Sequence, residues 1–338
     1  MTNMQSMPSQ AIMMQMVNGK LVSRTISLVA DLGIADLLKI GPKSVSELAK
    51  TTQSNEDALH RLLRMLSSIG IFSELGEGLY GNNSLSDVLQ SDIPGSIRNY
   101  ARWLGTQLHW EIIKNMDHAI QTGKPSFHRL YPDLDPFEAL IQYPEDHQVF
   151  QEAMTGLSDA EGYAIAAAYD WTVFDTILDV GGGHGQLMSI LAKKVPQTQF
   201  TVFDLPHVIE VTRNRLSAEG LNNIKAISGS FWDHIPGPVD LIVMKHIIHD
   251  WDDEQAIDIL KMCKKALTPN GKIMVCEWLI TENPDSISAK VLDIEMLTGP
   301  GGRERTAKQY DLLFQKAGLK LAQIVDTEGS IKLIEAKI

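Results

Sequence analysis

Cysteine is scarce in this 338-residue chain: only Cys263 and Cys276 occur, each inside an apolar segment. Neither has the spacing of a metal site or a redox pair. A disulfide scaffold and cysteine-based zinc chemistry are therefore set aside, and both read as reduced core thiols. Positive charge is also short. Lys and Arg number 30 against 42 Asp and Glu, a formal net charge of -12. A nucleic-acid binder would normally carry a basic face, so no nucleic-acid partner is expected. No apolar run approaches the ~20 residues of a membrane helix. The Met-rich start has neither the basic lead nor the apolar core of a signal peptide. The expectation is a soluble, cytoplasmic protein with no membrane partner. Repeats and low-complexity segments are missing too. What the chain has in quantity is hydrophobic residues, 44%, enough for a sizeable core in one large domain or two ordinary ones.

The most informative stretch is Ile177-Leu178-Asp179-Val180-Gly181-Gly182-Gly183-His184-Gly185. It reads as a buried strand, a glycine turn and the start of a helix, an arrangement that brings backbone N–H groups up to a ligand. Asp204 closes the next apolar run, where a carboxylate can grip ribose hydroxyls. A dinucleotide fingerprint needs glycine at the first, third and sixth positions of the turn. Counted from Gly181, the third is Gly183 but the sixth is Gln186. Glutamine there obstructs the close helix–strand packing that the third glycine serves. The pattern suits a nucleoside ligand without a pyrophosphate, such as S-adenosylmethionine.

From Thr176 onward, apolar runs alternate with helical patterns: Thr176–Val180, Phe200–Phe203, Ile224–Ile227, Leu241–Met244 and Lys272–Glu277. That alternation predicts βαβ units and a mostly parallel, doubly wound α/β sheet. Leu319–Val325 and Ser330–Ala336 flank the turn Asp326-Thr327-Glu328-Gly329, which reads as a hairpin supplying an antiparallel last strand. Gly299-Pro300-Gly301-Gly302 reads as a mobile loop.

Before Thr176 the chain is mainly helical. Ala11–Leu38 has helical spacing, Ser44 and Glu47 form a capping-box pattern, and Asn55–Ile69 carries Leu59, Leu62, Leu63, Leu66 and Ile69 on one face. Gly70–Tyr80 then reads as a two-strand wing. Helix, turn, helix and wing form a winged-helix pattern, but the second helix offers phosphates only His60, Arg61 and Arg64. Dimerisation or a substrate lid fits an acidic chain better than DNA binding. The expected division is a helical, winged-helix dimerisation domain over 1–100 and a cofactor-binding domain over 101–338. Within the latter, 101–170 is a substrate-lining helical segment rich in aromatics, Phe137 among them.

Four motifs in order resemble the small-molecule O-methyltransferases. They are the glycine turn, Phe203-Asp204-Leu205-Pro206-His207-Val208, Met244-Lys245-His246-Ile247-Ile248-His249-Asp250-Trp251-Asp252-Asp253-Glu254, and Gly301-Gly302-Arg303-Glu304-Arg305-Thr306. The resemblance is to the caffeic-acid, acetylserotonin and bacterial natural-product type, and it covers the whole chain. It implies S-adenosylmethionine as cofactor, a Rossmann-like methyltransferase sheet, and a homodimer formed through the N-terminal domain. It also implies transfer of a methyl group to a phenolic hydroxyl of a small aromatic substrate.

By that resemblance His249 is the general base, Glu277 the carboxylate on its other ring nitrogen, and Glu304 a second acid flanking it. Asp179, Gly181, Gly183, Asp204, Leu205, Ser230, Phe231 and Lys245 are the implied cofactor residues, with Leu205 and Phe231 against the adenine. The acceptor pocket is expected to include Trp103, Phe150, Met154, Trp251 and Met296. No metal is expected, since a histidine base makes one unnecessary. Two departures stand out. Ser230 occupies a position where many members of the family carry aspartate. Leu297-Thr298-Gly299-Pro300 lacks the asparagine of plant phenylpropanoid enzymes, so their substrate recognition does not transfer. Rival readings are a nicotinamide oxidoreductase, which Gln186 opposes, and a non-methylating relative acting as hydroxylase or decarboxylase. The second predicts a missing base.

Overall fold

The structure is a computed structural model and describes residues 8–93, 95–134, 140, 142–221, 223–282 and 287–338. Phe137 lies outside them. The chain divides into two compact units, one comprising Met1–Glu111 and Leu140–Leu157, the other Ile112–Ala139 and Ser158–Ile338. The helical segment 101–170 is shared between them.

The first unit opens with helices Ser9–Val17, Gly19–Asp31 and Ile34–Leu37. The helical spacing of Ala11–Leu38 is thus cut twice, at Asn18 and at Gly33, whose φ of 65° ends a helical run. Strand β1 (Lys43–Ser44) leads into helix Val45–Thr52. There Ser44 Oγ accepts the Glu47 N–H and Glu47 Oε2 accepts the Ser44 N–H at 2.9 Å, completing the capping box. Helix Glu56–Ser68 is capped by Asn55 and buries Leu59, Leu63 and Leu66. Its apolar face is narrower than the spacing suggests: Leu62 is half-buried and Ile69 is 44% exposed. Strands β2 (Ser73–Gly76) and β3 (Leu79–Gly81) follow, and β3 pairs with both β1 and β2.

The second unit is built on a seven-stranded sheet. Its strands are β4 (Thr176–Val180), β5 (Gln199–Asp204), β6 (Ile224–Ser228), β7 (Val239–Lys245), β8 (Leu267–Trp278), β9 (Lys320–Asp326) and β10 (Ile331–Lys337). The order is β6-β5-β4-β7-β8-β10-β9. Strands β4 to β8 pair in parallel, and β10 runs antiparallel to both β8 and β9. The reversed strand is therefore the last in the chain, inserted between β8 and the edge strand β9. Central strands such as β4 and β7 are apolar on both faces because buried side chains cover each side of the sheet.

This topology positions the site. From β4 the chain winds outward through β5 to β6, then returns to the other side of β4 as β7. The segments leaving β4 and β7 diverge at the carboxyl ends of the strands, and that crevice is where open α/β sheets bind ligands. No helix among the described residues is long and apolar enough to cross a membrane.

Candidate active site

At the end of β4, Gly181, Gly183 and Gly185 take φ values of 72°, 55° and 75°, a region that excludes most side chains. A Cβ on Gly181 would meet Ile247 Cδ1 at 2.3 Å, so the β4 and β7 ends are pressed together here. A Cβ on Gly182 would meet Asp179 Cγ at 2.8 Å. Gly182 was absent from the expected site residues, yet only hydrogen fits there. Gly185 takes the close approach to Val202, and a Cβ there would lie 3.2 Å away. Glycine one residue early thus does the packing that Gln186 could not.

The carboxylate of Asp204 ties the turn to β5. Its Oδ2 accepts the Gly183 N–H at 2.8 Å and its Oδ1 the Leu205 N–H at 2.6 Å. Burial raises its pKa, against the pull of these two bonds. Thr212 Oγ1 donates to the Gly183 carbonyl at 2.8 Å and fixes the turn from below. Asp179 is buried beside the turn, and burial pushes its carboxyl up to about 7 despite the nearby Lys245. Leu205 is 41% exposed. Past β6, Ser230 Oγ accepts the Trp232 N–H at 3.2 Å, a local turn bond. Phe231 packs edge-on against Trp232 and Trp251, with ring centroids 5.1 and 5.8 Å away, and the two tryptophans lie 5.0 Å apart. Trp232 completes this aromatic cluster and was not anticipated.

The carboxyl end of β7 carries His249, which is 5% exposed. Its Nδ1 lies 2.6 Å from Glu304 Oε1. Here the geometry corrects the expected roles. Glu304, not Glu277, holds the imidazole. Glu277 is fully buried, accepts the His249 backbone N–H at 3.0 Å, and accepts a hydrogen bond from the Tyr310 hydroxyl. The reason is directional: β8 aims Glu277 at the backbone of the turn, while the strand-like segment before Thr306 brings Glu304 to the ring edge. Burial pushes Glu277 up to about 7; burial and the neighbouring Asp293 push Glu304 up to about 8. Asp250 Oδ1 is 3.6 Å from His249 Nε2, beyond hydrogen-bond range. Ligand atoms of His249, Glu277 and Glu304 all lie within 4.8 Å of one another, a spacing a metal ion could use. Their contacts here are the hydrogen bonds just described.

The segment 299–305 is not the loose loop its glycines suggested. Gly299 N–H donates to Glu295 O, Gly301 N–H to Met296 O and Arg303 N–H to His249 O, each at 2.8 Å. A Cβ on Gly302 would fall 1.9 Å from the His249 carbonyl oxygen. Arg305, fully buried, donates to Ile248 O at 3.0 Å, to Trp251 O at 2.8 Å and to Asp253 Oδ1 at 2.9 Å. It clamps the turn that bears His249 onto the strand that bears Glu304.

A further acid, half-buried, has no signal in the sequence. Glu161, on helix Pro144–Ala168, accepts from Trp278 Nε1 at 2.9 Å and from His246 Nε2 at 2.8 Å, with Lys245 Nζ 3.4 Å away. Burial alone would raise its pKa, but these partners outweigh it and hold the carboxyl at about 2. Burial lowers the His246 imidazole to about 4. Lys245 sits at the carboxyl end of β7, with Glu161 as its counter-ion. Among the other expected pocket residues, Trp251 and Met296 belong to this unit. Trp103, Phe150 and Met154 belong to the other unit. There Trp103 and Phe150 pack edge-on with centroids 5.0 Å apart, and Met154 is half-buried one turn further along.

Residues 113–320 match the O-methyltransferase domain, and residues 14–92 match the O-methyltransferase dimerisation domain. The chain is 32% identical to a phenazine O-methyltransferase of Lysobacter antibioticus, with 98% of this chain and 97% of that one covered. It is 31% identical to the mitomycin biosynthesis 6-O-methyltransferase of Streptomyces lavendulae, with 95% and 92% covered. An O-methyltransferase from neocarzinostatin biosynthesis has been solved in complex with S-adenosylmethionine and 2-hydroxy-5-methyl naphthoic acid. It aligns with a TM-score of 0.79 at 28% identity, covering 93% of this chain and 95% of that one. With both domains matched and relatives aligned over nearly their full length, the chain belongs to the O-methyltransferase family.

Proposed function

We propose that this O-methyltransferase methylates a phenolic hydroxyl of a small, flat aromatic molecule, with His249 as general base and Glu304 as its orienting carboxylate. The observation that carries the reading is the buried 2.6 Å contact between His249 Nδ1 and Glu304 Oε1 at the carboxyl end of β7.

The crevice fits S-adenosylmethionine. A Cβ on Gly183 would meet nothing within 4 Å, so the turn opens onto free space. Each Asp204 oxygen holds one backbone N–H and retains a lone pair for a ribose hydroxyl. Leu205 and Trp232 offer exposed apolar surface for an adenine ring. Asp204, the glycine turn, Leu205, Ser230 and Phe231 would hold the nucleoside, with Asp179 and Lys245 at the turn. When bound, the cofactor supplies an electrophilic methyl group on a sulfonium.

The protein must then provide an oxygen nucleophile in line. A phenol has a pKa of ~10 and stays protonated at neutral pH. Burial and Asp293 push Glu304 up to about 8, and above that value it is ionised and can only accept, so it places the ring proton of His249 on Nδ1 and leaves Nε2 as a lone pair. Nε2 takes the phenolic proton, and Glu304 with Asp250 stabilises the imidazolium that forms. Glu277 and Arg305 hold the turn at this geometry through its backbone.

The N-terminal unit, read as a winged helix, pairs two copies of the chain. The dimerisation-domain match and the exposed apolar residues Met13, Met14, Met16, Val17 and Leu21 support this. The test of the activity is a mass-spectrometric screen of naphthols, hydroxyphenazines and catechols with S-adenosylmethionine. The reading requires a methyl gain on at least one phenol, lost in His249→Ala. Methyl gain confined to amines or aliphatic alcohols would refute it.

A further inference from the structure

Beside the base lies a second imidazole that the reaction as described does not use. The rings of His246 and His249 have centroids 4.9 Å apart and planes tilted by only 31°. Glu161 carries no proton to give, so the His246 Nε2 proton points at Glu161 Oε2. The same carboxylate is pinned by Trp278 and Lys245, so the ring cannot easily turn over. With Nε2 engaged, Nδ1 is a bare acceptor. It is buried and has no hydrogen-bond partner among the described residues. A buried acceptor left unpaired is unfavourable, and native proteins rarely retain one without a purpose. The backbone adds an independent sign. His246 has φ of 54°, strained for a residue with a side chain, and its N–H is held by the Cys276 carbonyl at 3.2 Å. Strain at one ring, three donors on the acid behind it and one vacant acceptor beside the base together describe a built recognition element.

We propose that His246 is a specificity-determining residue: its Nδ1 accepts a hydrogen bond from an O–H or N–H group adjacent to the hydroxyl that His249 deprotonates. The preferred methyl acceptor is then an ortho-dihydroxy or ortho-amino-hydroxy aromatic rather than a simple phenol. This rests on the His249 reading for the place of the reacting oxygen. A site built to bond a substrate donor discriminates strongly against the analogue lacking it, because the protein atom is left unpaired.

The full-length protein with S-adenosylhomocysteine is titrated by calorimetry with 2,3-dihydroxynaphthalene and with 3-methoxy-2-naphthol. The diol is expected to bind about ten-fold tighter, the worth of one buried hydrogen bond. His246→Gln keeps reach toward Glu161 but moves the acceptor, and the preference should fall to about two-fold or less. His246→Asn keeps an acceptor near the Nδ1 position and should retain most of it; it also serves if the glutamine variant does not fold. A purely structural role would weaken both probes alike and leave their ratio intact, which overturns the proposal. So would a wild-type protein without preference. A selective loss of S-adenosylhomocysteine affinity in His246→Gln would assign Nδ1 to the cofactor instead and equally overturn it. Because the readout is binding, absence of turnover on either naphthol bears on the His249 reading alone.

Discussion

Gly302→Ala is the substitution with the largest consequence for its size. The added methyl would stand 1.9 Å from the His249 carbonyl oxygen, 2.4 Å from Asp250 C and 2.6 Å from Trp251 N. All three are backbone atoms, so no side chain can swing aside. Ordinary contact begins near 3.4 Å, so the segment must retreat by ~1.5 Å. That retreat breaks the Arg303 N–H bond to His249 O and carries Glu304, two residues on, away from Nδ1. A 2.6 Å contact lengthened by so much is no longer a hydrogen bond. Overpacking of this kind costs about 1–3 kcal/mol of stability, and a misplacement of ~1 Å at the reacting groups lowers the rate by ~100-fold. Steady-state methyl transfer should therefore fall by about two orders of magnitude, with a far-UV spectrum like that of wild type. Calorimetric affinity for S-adenosylmethionine should hold, because the glycine turn and Asp204 are untouched. Gly329→Ala, at a hairpin tip with its nearest neighbour 3.8 Å away, is the matched control and should be silent. Full activity in Gly302→Ala would show that the packing of this segment on His249 does not set the site's geometry.

Other outcomes follow from the same structure. Asp204→Ala removes the acceptor of the Gly183 and Leu205 N–H groups and of the ribose. It should weaken S-adenosylmethionine by about ten-fold or more, the worth of bonds to a charged acceptor; an unchanged dissociation constant would remove Asp204 from the cofactor site. The ligand-free protein should lose stability as pH rises from about 6.5 to 8. In that window Asp179 and Glu277 (each pushed up to about 7) and Glu304 (to about 8) still hold protons that an unfolded chain has released. The stability they confer is fully present below ~4.5 and is lost as pH passes their folded values, on the order of 2 kcal/mol across the window. His246, lowered to about 4, acts in the opposite sense but only below ~6.5. Melting temperatures that climb over this range would contradict the burial argument. Arg305→Met should free the turn at three points and lower kcat more than cofactor affinity, read by single-turnover kinetics and calorimetry. Loss of both in parallel would mean that the clamp supports the whole unit.

The centre of the sheet was readable because β4, β5 and β7 carry short apolar runs, and β4 begins and ends where its pattern does, whereas β8 starts at Leu267, five residues before the expected Lys272. The glycine turn and Asp204 were readable for a related reason: strand, turn and helix are contiguous in the chain. What stayed hidden depends on distant residues meeting. Glu161 lies within a 25-residue helix and acquires meaning only when folding brings His246 and Trp278 to it from 85 and 117 residues away. Glu277 and Glu304 both stood out as acids near His249. Which one meets the ring and which the backbone is decided by strand direction, and spacing carries no trace of that. The glycines at 299–302 look like flexibility in one dimension. In three, Gly302 is simply the residue that fits against a carbonyl.

The central claim is that His249 removes the phenolic proton, and its most direct test varies the need for that removal. Single-turnover methyl transfer is compared between wild type and His249→Ala across phenols of falling pKa at fixed pH, with cofactor saturating. The account predicts a loss of about 10²–10⁴-fold on phenols of pKa ~10, shrinking toward none as the phenol becomes acidic enough to ionise unaided. A loss of equal size on every phenol, or no loss on the least acidic, would contradict it.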